Sequence, residues 1–266
     1  MLKLNNIAKT FYLNENIKDP KHALKSINLH LKEGDFVTVI GANGSGKSTL
    51  LNIIAGSLSV DEGELFLNNI KLNKLKNFER SRFIGRVFQD PKSGSIAEML
   101  VEENLFLASK RGKKTSLRWG IRKAQRLEFQ ALLASLNLDL ENRLHDRMSH
   151  LSGGERQAIT LLMALMNDPL LLLLDEHTAA LDPKTAKVVM DLTNKLVKEN
   201  KVTTLMVTHN MNDAIKYGNR LIMMAEGEII FTSEGKEKEN LTIEQLIKKF
   251  QEKTGNDLPD SLILNK

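Results

Sequence analysis

Phe36-Val-Thr-Val-Ile-Gly-Ala-Asn-Gly-Ser-Gly-Lys-Ser-Thr-Leu-Leu-Asn-Ile-Ile-Ala55 decides the fold. Its first five residues form a short apolar, β-branched run, the pattern of a strand buried on both faces. Gly41 to Ser48 then matches G-x-x-x-x-G-K-S/T in full. Ser48 to Ala55 is a helix candidate that stops near Gly56. Strand, glycine loop and helix in that order open a βαβ unit. The glycines let the loop turn tightly, so successive backbone N–H groups face inward around phosphate oxygens. The helix that follows adds the partial positive charge of its N-terminus. Lys47 supplies a full charge for the β- and γ-phosphates, and the Ser48 hydroxyl suits a Mg²⁺ position. Gly41, Asn43, Gly44, Ser45, Gly46, Lys47, Ser48 and Thr49 are therefore the phosphate-binding candidates. A turn that merely joins a strand to a helix is the plain alternative, and the strand–loop–helix context argues against it.

Working outward, Leu2 to Leu4, Ala23 to Leu31 and Phe83 to Gln89 show strand patterning, and Glu64 to Asn68 looks like a hairpin arm. Residues 92 to about 150 are mostly helical in pattern, with Leu127, Gln130, Ala131, Ala134 and Leu138 at helical spacing. A helix is expected from Ser152 to Asn167, buried strands at Leu170 to Leu174 and Val202 to Thr208, and an amphipathic helix between them at Lys184 to Glu199. Leu221 to Phe231 should form two short strands around Glu226-Gly227. Helices alternating with buried strands point to an α/β sheet with helices on both faces.

Composition narrows the function. The 266 residues are 41% hydrophobic and 27% charged, ordinary globular usage. A net charge of +5 is too small to diagnose a nucleic-acid binder. The absence of cysteine excludes disulfides, thiolate catalysis and Cys-ligated zinc. No apolar run approaches a membrane span, and the N-terminus lacks signal-peptide character, so the chain is expected in the cytosol.

Two further motifs carry chemistry. The strand from Leu170 ends in Asp175-Glu176, where ligands of parallel sheets gather. Beside a phosphate loop, Asp175 would hold Mg²⁺, often through water. Glu176 would polarise or deprotonate the attacking water. A solvated acidic turn is the alternative for such a pair taken alone. At Leu151-Ser-Gly-Gly-Glu155, Ser152 and Glu155 form a capping box that should start a helix. Gly153 and Gly154 in its first turn leave N–H groups uncovered for an anion.

Phosphate loop, Leu-Ser-Gly-Gly-Glu and Asp-Glu, in that order, resemble the ATP-binding cassette (ABC) ATPases over residues 1 to about 232. The resemblance implies a P-loop NTPase (RecA-like) core with a mixed sheet, an antiparallel β subdomain and an inserted helical subdomain. The corresponding segments are 1–91 with 151–235 for the core, 92–150 for the insertion and 236–266 for a helical tail. It further implies roles for other residues. Gln89 is similar to the Q-loop glutamine that touches Mg²⁺ or the attacking water. Asp182 resembles the D-loop aspartate, His209 the switch histidine at the γ-phosphate, and Phe11 the aromatic that stacks on adenine. ATP and Mg²⁺ are the implied cofactors.

The same resemblance implies partners. Two copies would close head to tail, with ATP between the phosphate loop of one and Ser152, Gly153, Gly154 and Glu155 of the other. A transmembrane permease would hold the pair on the inner face of the membrane. Glu-His-Thr-Ala-Ala-Leu-Asp-Pro183 is similar to a branch of importer ATPases that work with an extracytoplasmic binding protein, some for amino acids. A non-transport ABC ATPase that regulates a cell-envelope complex is the alternative. A phosphate-loop kinase outside the family fails on the signature and on His209.

Three features stand outside this scheme. His177 occupies a position where the family usually has proline, and is either a metal or proton-relay residue or a tolerated variant. Lys110, Arg111, Lys113, Lys114, Arg118, Arg122, Lys123 and Arg126 surround Trp119 without an acidic residue. They form a solvated face, or a surface for anionic lipid. Nucleic acid is not an expected partner, because one Trp is a thin stacking platform. In the tail, Ile243, Leu246, Ile247 and Phe250 share a helical face that packs on the main domain or on a partner.

Overall fold

The computed structural model describes residues 1–12, 20–113 and 120–255. The chain divides into two compact units, Met1–Arg80 with Val202–Lys266, and Ser81–Lys201. It begins in the first unit with β1 (Leu2–Phe11), β2 (Lys21–Leu31), β3 (Phe36–Gly41), α1 (Lys47–Ala55), β4 (Glu62–Leu67), β5 (Ile70–Lys71) and α2 (Asn77–Arg80). The second unit holds β6 (Ile84–Val87), α3 (Val101–Ser109), α4 (Lys123–Ala134), α5 (Gly153–Leu165), β7 (Leu171–Asp175) and α6 (Pro183–Asn200). The chain then returns to the first unit with β8 (Thr203–Val207), α7 (Met211–Lys216), β9 (Arg220–Ala225), β10 (Glu228–Glu234), α8 (Lys236–Glu239) and α9 (Ile243–Thr254).

In the first unit, β2-β1-β4-β5 form an antiparallel sheet. Strands β10-β9-β3-β8 lie side by side, with β3 parallel to both β8 and β9 and β10 antiparallel to β9. Every residue of β3 is buried, as its unbroken apolar run requires. The β9–β10 turn is Glu226-Gly227, both at positive φ (48° and 81°), which matches the right-handed twist of a hairpin. Strand β1 extends well beyond Leu4. Its alternation fails after that point because the pairing with β2 shifts register between Leu4 and Ile7, where Asn6 has φ 51°.

In the second unit, β6 pairs with β7 in parallel, Ile84 opposite Leu171 and Val87 opposite Leu174. Leu170, expected in the strand, precedes it and is 37% exposed. Helix α5 ends at Leu165, two residues before Asn167. The expected face of α4 is also corrected. Leu127 is 58% exposed, and Phe129 and Leu133 are the helix's buried residues. Phe129 and Leu133 are four residues apart and continue into buried Leu136 and Leu140. That stripe hides an aromatic ring, which outweighs the face marked by two alanines and a glutamine.

The basic stretch is less free than its composition implies. The Arg111 side chain is sunk into the unit and donates from Nη2 to the Ala164 carbonyl at 2.7 Å. Arg126 makes two hydrogen bonds to the buried Glu102 carboxylate, 2.6 and 3.0 Å. Lys114, Arg118 and Trp119 lie outside the described residues. The apolar face of the tail packs on its own unit, where Leu246 and Phe250 join a buried cluster with Ile40, Met211, Ala214, Leu221, Met223 and Ala225.

Candidate nucleotide site

The phosphate loop runs from the end of β3 into α1. A Cβ at Gly41 would stand 2.2 Å from the Met224 carbonyl oxygen, and one at Gly46 2.5 Å from that of Ala23. Gly46 also has φ 102°, so both the space and the backbone demand glycine. The β9–β10 turn braces the loop, because Gly227 N–H donates to the Ser45 carbonyl at 3.1 Å. Helix α1 has no side-chain cap and no acidic residue in its first turn, which leaves its N-terminal field uncompensated. Asn43, Gly44 and Ser48 are exposed at the loop surface, with Thr49 half-buried beside them. Lys47 is buried and folds back, its Nζ donating to the Gly41 carbonyl at 2.6 Å and to that of Ala42 at 3.0 Å. The Ser45 Oγ is buried with no hydrogen-bond partner among the described residues. A loop of inward donors with an orphaned hydroxyl fits a polyphosphate.

Two other expected residues lie in the same unit. Phe11 ends β1 opposite Lys21, with the Lys9 Nζ 5.8 Å from its ring centroid. Asp61 fastens this strand end by accepting from Lys9 Nζ (2.6 Å) and Thr10 N–H (2.7 Å). The bond from Lys9 first, and that from Thr10 as well, hold its carboxyl below the usual range. His209 is half-buried in the turn between β8 and α7. Asn210 follows it as the N-cap of α7, its Oδ1 accepting from Asp213 N–H at 3.1 Å.

The second unit carries the remaining motifs. Asp175 closes β7, and Glu176 follows at φ 44°. A left-handed non-glycine residue at this point holds roughly 1–3 kcal/mol of backbone strain, which surrounding contacts must sustain. His177 is wholly buried and its Nε2 lies 3.0 Å from Thr193 Oγ1 in α6. Burial pushes the imidazole down to about 4, so it is neutral near pH 7. Gln89 is exposed just beyond β6. Asp182 is the N-cap of α6 and accepts from Thr185 N–H at 3.1 Å; a hydrogen bond from the Thr185 side chain first, and this backbone bond as well, lower its carboxyl pKa.

Helix α5 begins with the expected capping box: Ser152 N–H donates to Glu155 Oε2 (2.7 Å), and Glu155 N–H to Ser152 Oγ (3.3 Å). The glycines have a second reason. A Cβ on Gly154 would meet Thr185 Cγ2 at 2.2 Å, and one on Gly153 would meet Leu181 at 3.1 Å. The start of α5 thus packs tightly against the turn that holds Asp182, while Ser152 itself stays exposed.

Ser48 in the first unit offers a hydroxyl, and in the second unit Asp175 offers a carboxylate and Gln89 an amide oxygen, each a hard donor of the kind Mg²⁺ takes. One polar neighbour escaped sequence reasoning. Arg86 donates from Nη2 to Asp175 Oδ2 at 3.1 Å. A lone charge inside the apolar strand Ile-Gly-Arg-Val was the only available signal.

Comparison with known proteins places these motifs in context. Residues 24–179 match the family profile described as ABC transporter. A tyrosine transport ATP-binding protein of Clostridioides difficile is 44% identical over 94% of this chain and 99% of its own. A methionine import ATP-binding protein of Streptococcus agalactiae is 32% identical over 86% of this chain and 63% of its own. Among solved structures, the dimeric Methanocaldococcus jannaschii cassette MJ0796, bound to ADP and Pi after hydrolysis, superimposes with a TM-score of 0.75. It is 35% identical and covers 88% of this chain and 98% of that one.

Proposed function

The chain belongs to the ABC transporter family of ATPases, and from that premise we propose that it energises import of a small solute, an amino acid by class, through a membrane permease. It has the P-loop NTPase fold of the ATP-binding cassettes, and its activity is ATP hydrolysis coupled to transport. The observation that carries the solute class is the end-to-end similarity to a tyrosine transport ATP-binding protein. A methionine importer among the relatives supports the same class. Among the described residues no helix is long and apolar enough to cross a membrane; in this reading the permease supplies the route.

The residues divide the work as follows. Loop N–H groups and Lys47 bind the phosphate chain, and Lys47 gives up its two carbonyl contacts to do so. Phe11 stacks on adenine. Ser48, Asp175 and Gln89 would hold Mg²⁺, which would neutralise charge developing on the phosphate oxygens. Glu176 polarises the attacking water, and His209 contacts the γ-phosphate. The exposed start of α5 in a second copy closes over the nucleotide and excludes water. A dimeric post-hydrolysis relative supports this arrangement.

Replacing Glu176 by Gln tests the central step. The variant should bind ATP normally and lose turnover by about 10²–10⁴-fold, the range for a positioned general base. Near-normal turnover would remove Glu176 from the mechanism. The solute class is tested by reconstituting the cassette with its co-purifying permease and measuring ATP-dependent uptake of labelled tyrosine against a sugar. Uptake of the sugar alone would overturn it.

A further inference from the structure

We propose that Arg86 is a positioning residue that occupies the Mg²⁺-binding carboxylate of Asp175 until the nucleotide-bound cation displaces it. In this role it sets the Mg²⁺ concentration at which the protein takes up Mg²⁺–ATP. The inference rests on the ATPase reading above, in which Asp175 is the carboxylate for the cation.

The placement follows from strand register. Arg86 on β6 lies opposite Leu173 on β7, two residues before Asp175, so its long side chain spans one strand spacing to reach the strand end. The Nη2–Oδ2 distance is 3.1 Å, and the two side chains are only 13% and 16% exposed, so solvent screens the pair weakly. A carboxylate this enclosed is costly without a counter-charge. Before the cation arrives, Arg86 supplies that charge.

The pair is also built to release. The strongest guanidinium–carboxylate pairs make two parallel bonds. Here one nitrogen makes one bond, and the Nε is buried with no hydrogen-bond partner among the described residues. The guanidinium instead rests on the Phe88 ring, 4.5 Å from its centroid. That ring offers a place to remain after the carboxylate is surrendered, since cation–π attraction does not depend on Asp175. The platform is itself anchored: Gln157 on α5 donates from Nε2 to the Phe88 carbonyl at 3.0 Å. Gln89 is the next residue along. One short segment thus connects the cation carboxylate, the Q-loop position and the helix that starts at Ser152. A second cation at Asp175 meets like charge from Arg86, so the arginine raises the Mg²⁺ requirement.

The test measures binding of methylanthraniloyl-ATP to the full-length protein while Mg²⁺ is titrated upward from an EDTA baseline. Arg86→Met should lower the Mg²⁺ midpoint by roughly tenfold, the scale of one hydrogen bond to a charged group. Affinity in EDTA should stay at the wild-type value, a combination that simple loss of packing would not produce. Arg86→Lys keeps the charge and should keep the midpoint near wild type. If Arg86→Met does not melt cooperatively, Arg86→Gln carries the same comparison. An unchanged or raised midpoint in the neutral variant, with wild-type Mg²⁺ dependence intact, overturns the role of Arg86 and leaves the ATPase reading standing. Absence of any Mg²⁺-dependent binding by the wild type overturns that reading itself.

Discussion

His177 stands where the family resemblance leads one to expect proline, and its surroundings explain the exchange. Thr193 Oγ1 donates to the Val189 carbonyl at 2.7 Å, so its hydrogen is committed and the His177 Nε2–H must be the donor between them. The imidazole ties the chain just after the left-handed Glu176 to the middle of α6. It is sealed and neutral, which removes it as a proton relay near pH 7. Its folded pKa of about 4 is depressed below the ordinary 6.5, so the unfolded chain takes up the proton first. Its contribution to stability is complete above pH 6.5 and is lost as the pH falls toward 4, by at most about 1.4 kcal/mol per pH unit. Thermal melts of wild type and His177→Gln between pH 7.5 and about 4.5 should therefore converge as the pH falls. A gap that stays constant over that range would show that the imidazole is not neutral in the fold.

Among the elements, the tail helix α9 is an integral part of its unit. Helix α9 has a strongly one-sided pattern, and its buried residues Leu246 and Phe250 meet Met211 and Ala214 of α7 within one cluster. Lys238 adds a polar tie to the same helix. Its Nζ is buried and donates to the carbonyls of Ile215, Tyr217 and Gly218 at 2.7, 2.8 and 3.1 Å. Burial lowers this lysine to about 8. The carbonyls at the end of a helix need partners, and here one ammonium satisfies three of them. Lys238→Met should cost about 1–3 kcal/mol in urea unfolding, because it strands buried acceptors. Phe250→Ala should cost about 3–5 kcal/mol through the cavity it leaves. Values near zero for both would mean that the tail is not integral to its unit. Because α7 starts immediately after His209, the tail supports the backbone that presents the histidine.

For the molecule as a whole, the exposed start of α5 is the feature a single chain leaves unused in this mechanism. Its capping box orders the helix, and Gly154 is pinned against Thr185, so the terminus is rigid before any partner arrives. Rigid donors lose little entropy on closing over a phosphate. Ser152→Arg should leave nucleotide binding by the monomer intact and abolish hydrolysis. It should also prevent the ATP-dependent dimer that size exclusion is expected to show in the Glu176→Gln background. Hydrolysis that survives the substitution would mean that a second copy does not complete the site.

Residues 36 to 55 carried the strand, loop and helix in order, because each depends on local dihedrals and neighbouring hydrogen bonds. The same holds for the Ser152–Glu155 box and the Glu226-Gly227 turn, whose partners lie within a few residues. Long-range packing decided the rest. Which face of α4 is buried depended on where an aromatic ring could be hidden, and α4 alone does not say. Gly154 has a packing reason as well, which lay out of sight in the sequence: a Cβ there would meet the Thr185 side chain, thirty-one positions away. Arg86 met Asp175 only because two parallel strands pair in one register, and register is a property of the assembled sheet.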